Sequence, residues 1–209
     1  MTDTLPAYGW RTADAHCHHA YILPAIETLL PEQRSLRILD LGCGNGFLAQ
    51  HFAAAGHAVT ATDPSTDGIE LARRAYPGVR FEAVSGYDSH THLMPPGGWD
   101  VITASEVIEH LYDPRRFLEN AFRHIAPGGC IILTTPYHGY LKNLALAAAG
   151  AWDRHLTVHW HGGHIKFFSV PTLTAMLRDC GFVDPTFRFV GRLPWLWKSM
   201  VCRAEKPTS

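Results

Sequence analysis

The chain has 209 residues, 46% of them hydrophobic, with 18 basic against 19 acidic side chains and a formal net charge of −1. That length suits one domain, or one domain with a modest insert, and can bury a full core. The near-neutral balance offers no electrostatic case for nucleic acid or an anionic membrane as a partner.

The N-terminus around Tyr8 and Trp10 is polar and lacks the apolar run of a signal peptide. A helix is predicted over 13–30, kinked or split by Pro24. Strands are predicted at 36–41, 58–62, 79–84, 100–104 and 130–134, and helices at 46–55, 65–76, 114–125 and 171–180. Asp113-Pro114 starts its helix well, because Asp accepts from a free amide as N-cap and Pro fits the first helical position. Pro127-Gly128-Gly129 then turns the chain into an all-apolar strand, the pattern of a buried parallel strand. The stretch 137–166 adds an Ala-rich helix near 141–149 and a run of His155, His159, His161 and His164 with Trp152 and Trp160. Segments 182–190 and 196–203 read as a final antiparallel pair, joined through 191–195. Repeated β-then-α order predicts an α/β fold with a doubly wound parallel sheet.

The longest apolar stretch, 141–152, is interrupted by Lys142 and Asn143 and is too short to span a bilayer. Cys17, Cys43, Cys130, Cys180 and Cys202 are scattered and never form a C-x-x-C pair, as expected of reduced thiols in a cytoplasmic protein. Trp195 and Trp197 suit an edge hairpin packed on the core, with a homodimer contact as the alternative.

The segment Arg37-Ile38-Leu39-Asp40-Leu41-Gly42-Cys43-Gly44-Asn45-Gly46 carries the most chemistry. A short apolar strand runs through an acid into a glycine turn, and a helix follows. That arrangement is a nucleotide-binding element at the edge of an open α/β sheet. Asp63 closes the next strand roughly 20 residues beyond Gly42, where an acid can hold a ribose diol. Gly44-Asn45-Gly46-Phe47-Leu48-Ala49 also matches the dinucleotide pattern G-x-G-x-x-A, so a nicotinamide oxidoreductase is a competing reading. Asp40 weighs against it, since a carboxylate at the strand's end repels a pyrophosphate and suits a ligand carrying ammonium and sulfonium groups.

Asp40-Leu41-Gly42-Cys43-Gly44-Asn45-Gly46 resembles the D-x-G-x-G-x-G loop of class I S-adenosylmethionine-dependent methyltransferases. Ser105-Glu106-Val107-Ile108-Glu109-His110-Leu111, then Asp113-Pro114, Leu118 and Pro127-Gly128-Gly129, is similar to the ubiquinone-biosynthesis O-methyltransferases and their small-molecule relatives. Those enzymes also carry an H-x-K-F-x-S/T segment, read here as His164-Ile165-Lys166-Phe167-Phe168-Ser169. The resemblance covers roughly 36–182. Where the quinone enzymes carry L-H-x-x-N-P-x-R, this chain has Ala15-His16-Cys17-His18-His19 and lacks the Asn-Pro and Arg.

The resemblance implies a seven-stranded sheet with an antiparallel terminal strand. It divides the chain into an N-terminal helical cap, 1–35, and a methyltransferase domain, 36–209, whose insert at about 137–166 is a lid. S-adenosylmethionine is the implied cofactor, held by Asp40, Gly42, Cys43, Gly44, Gly46, Asp63, Pro64, Asp88 and Ser105. The implied acceptor is a small molecule, methylated at an oxygen. Glu106, Glu109 and His110 stand at i, i+3 and i+4, so one helical turn would group them as ligands for Mg2+ or another divalent ion. Glu106 and His110 are otherwise candidates for acid–base or substrate contact. His164 is the favoured general base, since an imidazole titrates near pH 6.5, and His138 is expected to face the reacting atom. Structural zinc on the histidine run and a catalytically silent cofactor-binding regulator are the remaining alternatives.

Overall fold

The computed structural model describes residues 9–33, 35–153 and 163–208. A single sheet organises the chain. Its strands are β1 (Arg37–Leu41), β2 (Ala58–Thr62), β3 (Arg80–Glu82), β4 (Trp99–Ser105), β5 (Ile125–Pro136), β6 (Val183–Val190) and β7 (Ser199–Glu205). The spatial order is β3-β2-β1-β4-β5-β7-β6, and β1 to β5 are parallel while β7 runs antiparallel to both neighbours. Chain order reverses between β1 and β4. Ligands of open α/β sheets bind at such a switch point, beyond the strands' carboxyl ends.

Alternation along the strands buries both faces. Ile38, Val101, Ile132 and Val201 pack with Ile22 and Ile26 of α1 (His19–Glu27) and Leu48 and Phe52 of α2 (Phe47–Ala54). Leu39, Ile102, Leu133 and Cys202 pack on the opposite face, with Phe117 and Leu118 of α4 (Pro114–His124) and Leu173 and Leu177 of α6 (Val170–Asp179). Ile69 and Ala72 of α3 (Thr66–Ala75) close over Ala61 and Phe81 beside β2 and β3. This is the doubly wound seven-stranded sheet with an antiparallel terminal strand, β7, expected from the sequence. All five cysteines are free. Among the described residues, no helix is long and apolar enough to cross a membrane.

Three elements start three or more residues from their predicted bounds. α1 begins at His19, not Ala13, and passes through Pro24 without splitting. Residues 12–14 instead bend outside any helix, where Asn45 Nδ2 donates to the carbonyls of Thr12 and Asp14 and the Tyr76 hydroxyl, tethering the same stretch, donates to that of Ala13. β5 begins at Ile125, so the expected turn at 127–129 lies inside the strand as an irregularity opposite 99–101. Gly129 permits this, since a Cβ there would stand 2.7 Å from the carbonyl oxygen of Asp100. β7 begins at Ser199, three residues later than predicted, leaving Leu196 and Trp197 in the connecting loop. Helix α5 (Tyr140–Ala148) lies where the Ala-rich pattern placed it.

Gly46 shows how tightly the first crossover is closed. It caps α2 at φ +80°, and a Cβ added there would stand 2.7 Å from Ala72 Cβ and 2.8 Å from the Phe81 ring. Gly46→Ala combines a left-handed non-glycine residue with overpacking. Its expected cost is about 2–4 kcal/mol of stability, read as a lower urea midpoint with unchanged slope. An unaltered midpoint would contradict this packing.

Candidate active site

Asp40 and Asp63 stand at the carboxyl ends of β1 and β2. Asp40 is buried inside β1, and Oδ1 accepts a 2.8 Å hydrogen bond from the Thr103 hydroxyl of β4. Its Oδ2 is buried without a partner. Burial, reinforced by the charge of Asp63 and opposed by Thr103, pushes the Asp40 carboxyl up to about 7. Asp63 is also buried, and burial raises its carboxyl above the ordinary range. Its Oδ2 accepts from the Gly44 amide at 2.9 Å and its Oδ1 from the Ser65 amide at 2.8 Å. Each oxygen retains a second lone pair for a ligand hydroxyl.

The glycine loop is secured from beneath. Both the Gly42 and Cys43 amides donate to the Thr62 carbonyl, at 2.7 and 3.0 Å. With the Gly44 amide on Asp63, three successive loop amides are consumed internally. A pyrophosphate needs such amides free, so this loop is not shaped for a dinucleotide. It is shaped for a cation: two buried carboxylates, one with an orphaned oxygen, are short of positive charge. The ammonium and sulfonium of S-adenosylmethionine fit that deficit. The Cys43 side chain packs beneath α3 with its thiol held well above the usual range by burial, so only its backbone faces the loop.

The turn after β3 faces the same edge. Asp88 is exposed, Pro64 is partly buried beside Asp63, and the Ser105 hydroxyl lies 3.1 Å from that of Thr134. The turn is fixed by Asn120 of α4, whose Nδ2 donates to the carbonyls of Gly86 and Asp88. Sequence reasoning missed Asn120, although its spacing from Phe117, Ala121 and His124 marked it as a polar residue on a buried helix face. Thr103 and Asn45 were missed as well, since only strand register and chain crossing reveal their partners.

Beyond β4, the expected helical turn is a short 3-10 turn, Ile108–His110. Glu106 precedes it with φ +53°, a left-handed conformation that is uncommon for a non-glycine residue. Its Oε1 accepts from the Thr134 hydroxyl at 2.8 Å, and its charge still reaches Glu109. The cluster that forms is Glu109, His110 and His164, whose ligating atoms all lie within 4.8 Å of one another. Two backbone bonds build it, because the Glu109 carbonyl accepts from the amides of Ile165 and Lys166 at 2.9 and 3.0 Å. Gly163 adds a carbonyl 3.3 Å from His110 Nδ1. Both carboxyl oxygens of Glu109 are buried without a hydrogen-bond partner, and burial together with the charge of Glu106 holds this carboxyl well above the usual range.

His138 is buried and stacks edge-on against Phe167, with ring centroids 5.1 Å apart. Lys142 of α5 is a further residue the sequence did not flag. It is buried, its Nζ donates to the Tyr137 carbonyl at 2.7 Å, and burial and the charge of Arg192 lower it to about 8. His155, His159, His161 and Trp160, with the zinc alternative they carried, lie outside the described residues.

The methyltransferase domain family profile matches residues 14–184. A ubiquinone biosynthesis O-methyltransferase from Caulobacter sp. (strain K31) is 40% identical over 122 residues, which are 56% of this chain and 46% of the relative. Another, from Paramagnetospirillum magneticum (strain ATCC 700264 / AMB-1), is 30% identical over 176 residues, 82% of this chain and 69% of the relative. This chain therefore spans roughly half to two thirds of the length of these relatives. The same fold occurs in a solved S-adenosylmethionine-dependent methyltransferase from Thermotoga maritima, with TM-score 0.65, 21% identity and coverage of 88% of this chain and 86% of that one.

The raised carboxyl of Asp40 makes cofactor binding pH-dependent. A bound cation favours the ionised form, so S-adenosylmethionine affinity should fall as pH drops through about 7. Calorimetry near pH 6.5 in buffers of different ionisation enthalpy should show proton release on binding. Asp40→Asn should weaken binding about 10- to 100-fold, the scale of one hydrogen bond to a charged group, and abolish the proton release. Equal affinity at pH 6 and 8 would rule out this role.

Proposed function

Since the chain belongs to the methyltransferase domain family, we propose that it is an S-adenosylmethionine-dependent enzyme that methylates a hydroxyl oxygen of a small molecule. The observation that carries the acceptor side of this reading is the cluster of Glu109, His110 and His164 on the β4 turn, one strand from the acidic loop. The relatives named above, ubiquinone biosynthesis O-methyltransferases, agree in reaction type.

S-adenosylmethionine would supply an electrophilic methyl group on a positively charged sulfur. The chain's own work is positioning, because an in-line displacement gains most of its rate from alignment of the reacting atoms. Asp40 Oδ2 would take the ammonium and the free lone pairs of Asp63 the ribose hydroxyls. The turn around Asp88 would border the adenine, with Pro64 and Ser105 completing the walls. On the acceptor side, His164 would remove the hydroxyl proton, with His110 and the buried Glu109 orienting it and accepting positive charge. The described parts of the expected lid, 137–153 and 163–166, would close over the acceptor and exclude water, and the described residues of the expected cap, 9–33, would cover the cofactor side; 1–8 and 154–162 lie outside the described residues.

Glu109, His110 and His164 offer one carboxylate and two imidazoles, a donor set that suits a divalent transition metal better than Mg2+, which takes oxygen ligands; both Glu109 oxygens are buried without a hydrogen bond, Oε1 lying 3.9 Å from His110 Nε2. An ion there would lower the proton affinity of an acceptor hydroxyl. Glu106, bonded to Thr134, is the less suitable ligand.

His164→Ala should lower kcat by about 10²- to 10⁴-fold on a phenolic or catecholic acceptor, the usual contribution of a general base. Cofactor affinity should change by less than about twofold, since no cofactor contact is removed. Chelation of the wild-type enzyme should depress turnover, with a divalent transition metal restoring it. Normal turnover in His164→Ala would overturn the base assignment, and full activity after exhaustive chelation would remove the ion.

A further inference from the structure

Behind the turn around Asp88 lies a buried polar network that the chemistry above does not use. His90, two residues beyond Asp88, and His124, the last residue of α4, are both buried, as are Thr62 and Asn120 beside them. The two imidazoles stand edge-on, with centroids 5.7 Å apart. Polar groups this deep are costly unless each finds a partner.

His124 is engaged at both nitrogens. Its Nδ1 lies 2.7 Å from the Asn120 carbonyl oxygen, which can only accept, so Nδ1 carries the proton. In the neutral ring Nε2 then has a free lone pair, and the His90 backbone amide donates to it at 3.2 Å. That amide lies outside any helix or strand, and His124 satisfies it. His124 thus pins the chain just after the Asp88 turn.

His90 carries the restraint onward. Its Nε2 lies 3.2 Å from the Thr62 hydroxyl, and its Nδ1 faces Asn120 Nδ2 at 3.5 Å. Both neighbours hold backbone on the cofactor side. The Thr62 carbonyl accepts from the Gly42 and Cys43 amides, and Thr62 directly precedes Asp63. Asn120 Nδ2 donates to the carbonyls of Gly86 and Asp88. One imidazole therefore meets the two side chains that tie down the glycine loop and the Asp88 turn.

Both rings are held neutral. Burial first, then His124, lowers His90 to about 4; His92 adds to this and Asp88 opposes it. Burial also lowers His124, helped by Arg123 and Lys206 and opposed by the Asn120 carbonyl. A proton on His124 Nε2 would set one N–H against another, so the contact with the His90 amide needs the neutral ring.

We propose that His124 and His90 are positioning residues for the adenosine half of the cofactor. Each acts through other groups: His124 through the His90 amide, His90 through Thr62 and Asn120. The brace orders the ribose acid and the Asp88 turn as one unit before the cofactor binds, so less ordering remains to oppose binding. This role rests on the reading of the Asp88 turn as the adenine wall.

The test is calorimetry of the full chain at pH 8 with S-adenosylmethionine and, separately, adenosine. His124→Leu leaves the buried His90 amide without an acceptor and should weaken both ligands by the same factor, about tenfold. His124→Gln places an acceptor oxygen near the Nε2 position and should return both affinities to within about threefold of wild type. Thr62→Val deletes only the hydroxyl that meets His90 and should weaken both ligands about three- to tenfold; it carries the test if the leucine variant fails to fold by near-ultraviolet circular dichroism. Asp40→Asn, at the methionine end, should weaken S-adenosylmethionine alone. Wild-type affinity in His124→Leu or Thr62→Val would overturn the proposal. So would a loss confined to S-adenosylmethionine, or a loss in His124→Gln as large as in His124→Leu. Asp63→Ala separates the two ways of failing. If it loses affinity while His124→Leu does not, the brace is wrong and the site reading stands; if neither loses affinity, the site reading is wrong and the brace falls with it.

Discussion

Two carboxylates buried side by side at the ends of adjacent parallel strands cannot both be ionised comfortably in an uncharged setting. Asp40 and Asp63 occupy that position, and much of the surrounding structure manages the resulting stress. Thr103 donates to one, the Gly44 and Ser65 amides donate to the other, and one oxygen of Asp40 is left with nothing. The glycine loop takes its shape from this arrangement, because its amides turn inward to Thr62 and Asp63 instead of outward to an anion. A site of this kind is least satisfied when empty of positive charge, which is the physical basis for its preference.

The acceptor side is organised differently. There the controlling element is a backbone carbonyl, that of Glu109, which binds a segment more than fifty residues further along the chain. The left-handed residue at Glu106 turns the chain so that Glu109 and His110, and not Glu106, face that segment. The two halves of the site thus hang on neighbouring strands, β1 and β4, at the point where the sheet order reverses. The exposed β6–β7 loop extends the same edge outward from β5, so donor loop, acceptor cluster and that loop share one end of the sheet.

Sequence by itself determined what depends on short-range pattern. Strand alternation, the Asp113-Pro114 cap and the glycine spacing fixed the sheet, its helices and the acidic loop, because each is set by steric and hydrogen-bonding rules acting over a few residues. It also determined the residue types available to the acceptor side, including His164 and Glu109. Tertiary structure alone decided which of these meet. Helical spacing grouped Glu106 with Glu109 and His110, whereas a 3-10 turn and one positive φ replaced Glu106 by His164. Asn45 overrode local helix propensity at 13–18 by capturing backbone carbonyls, and Asn120 braced a turn thirty residues away. Long-range pairing of this kind follows from strand register and packing of distant segments, and neither is written in the local order of residues.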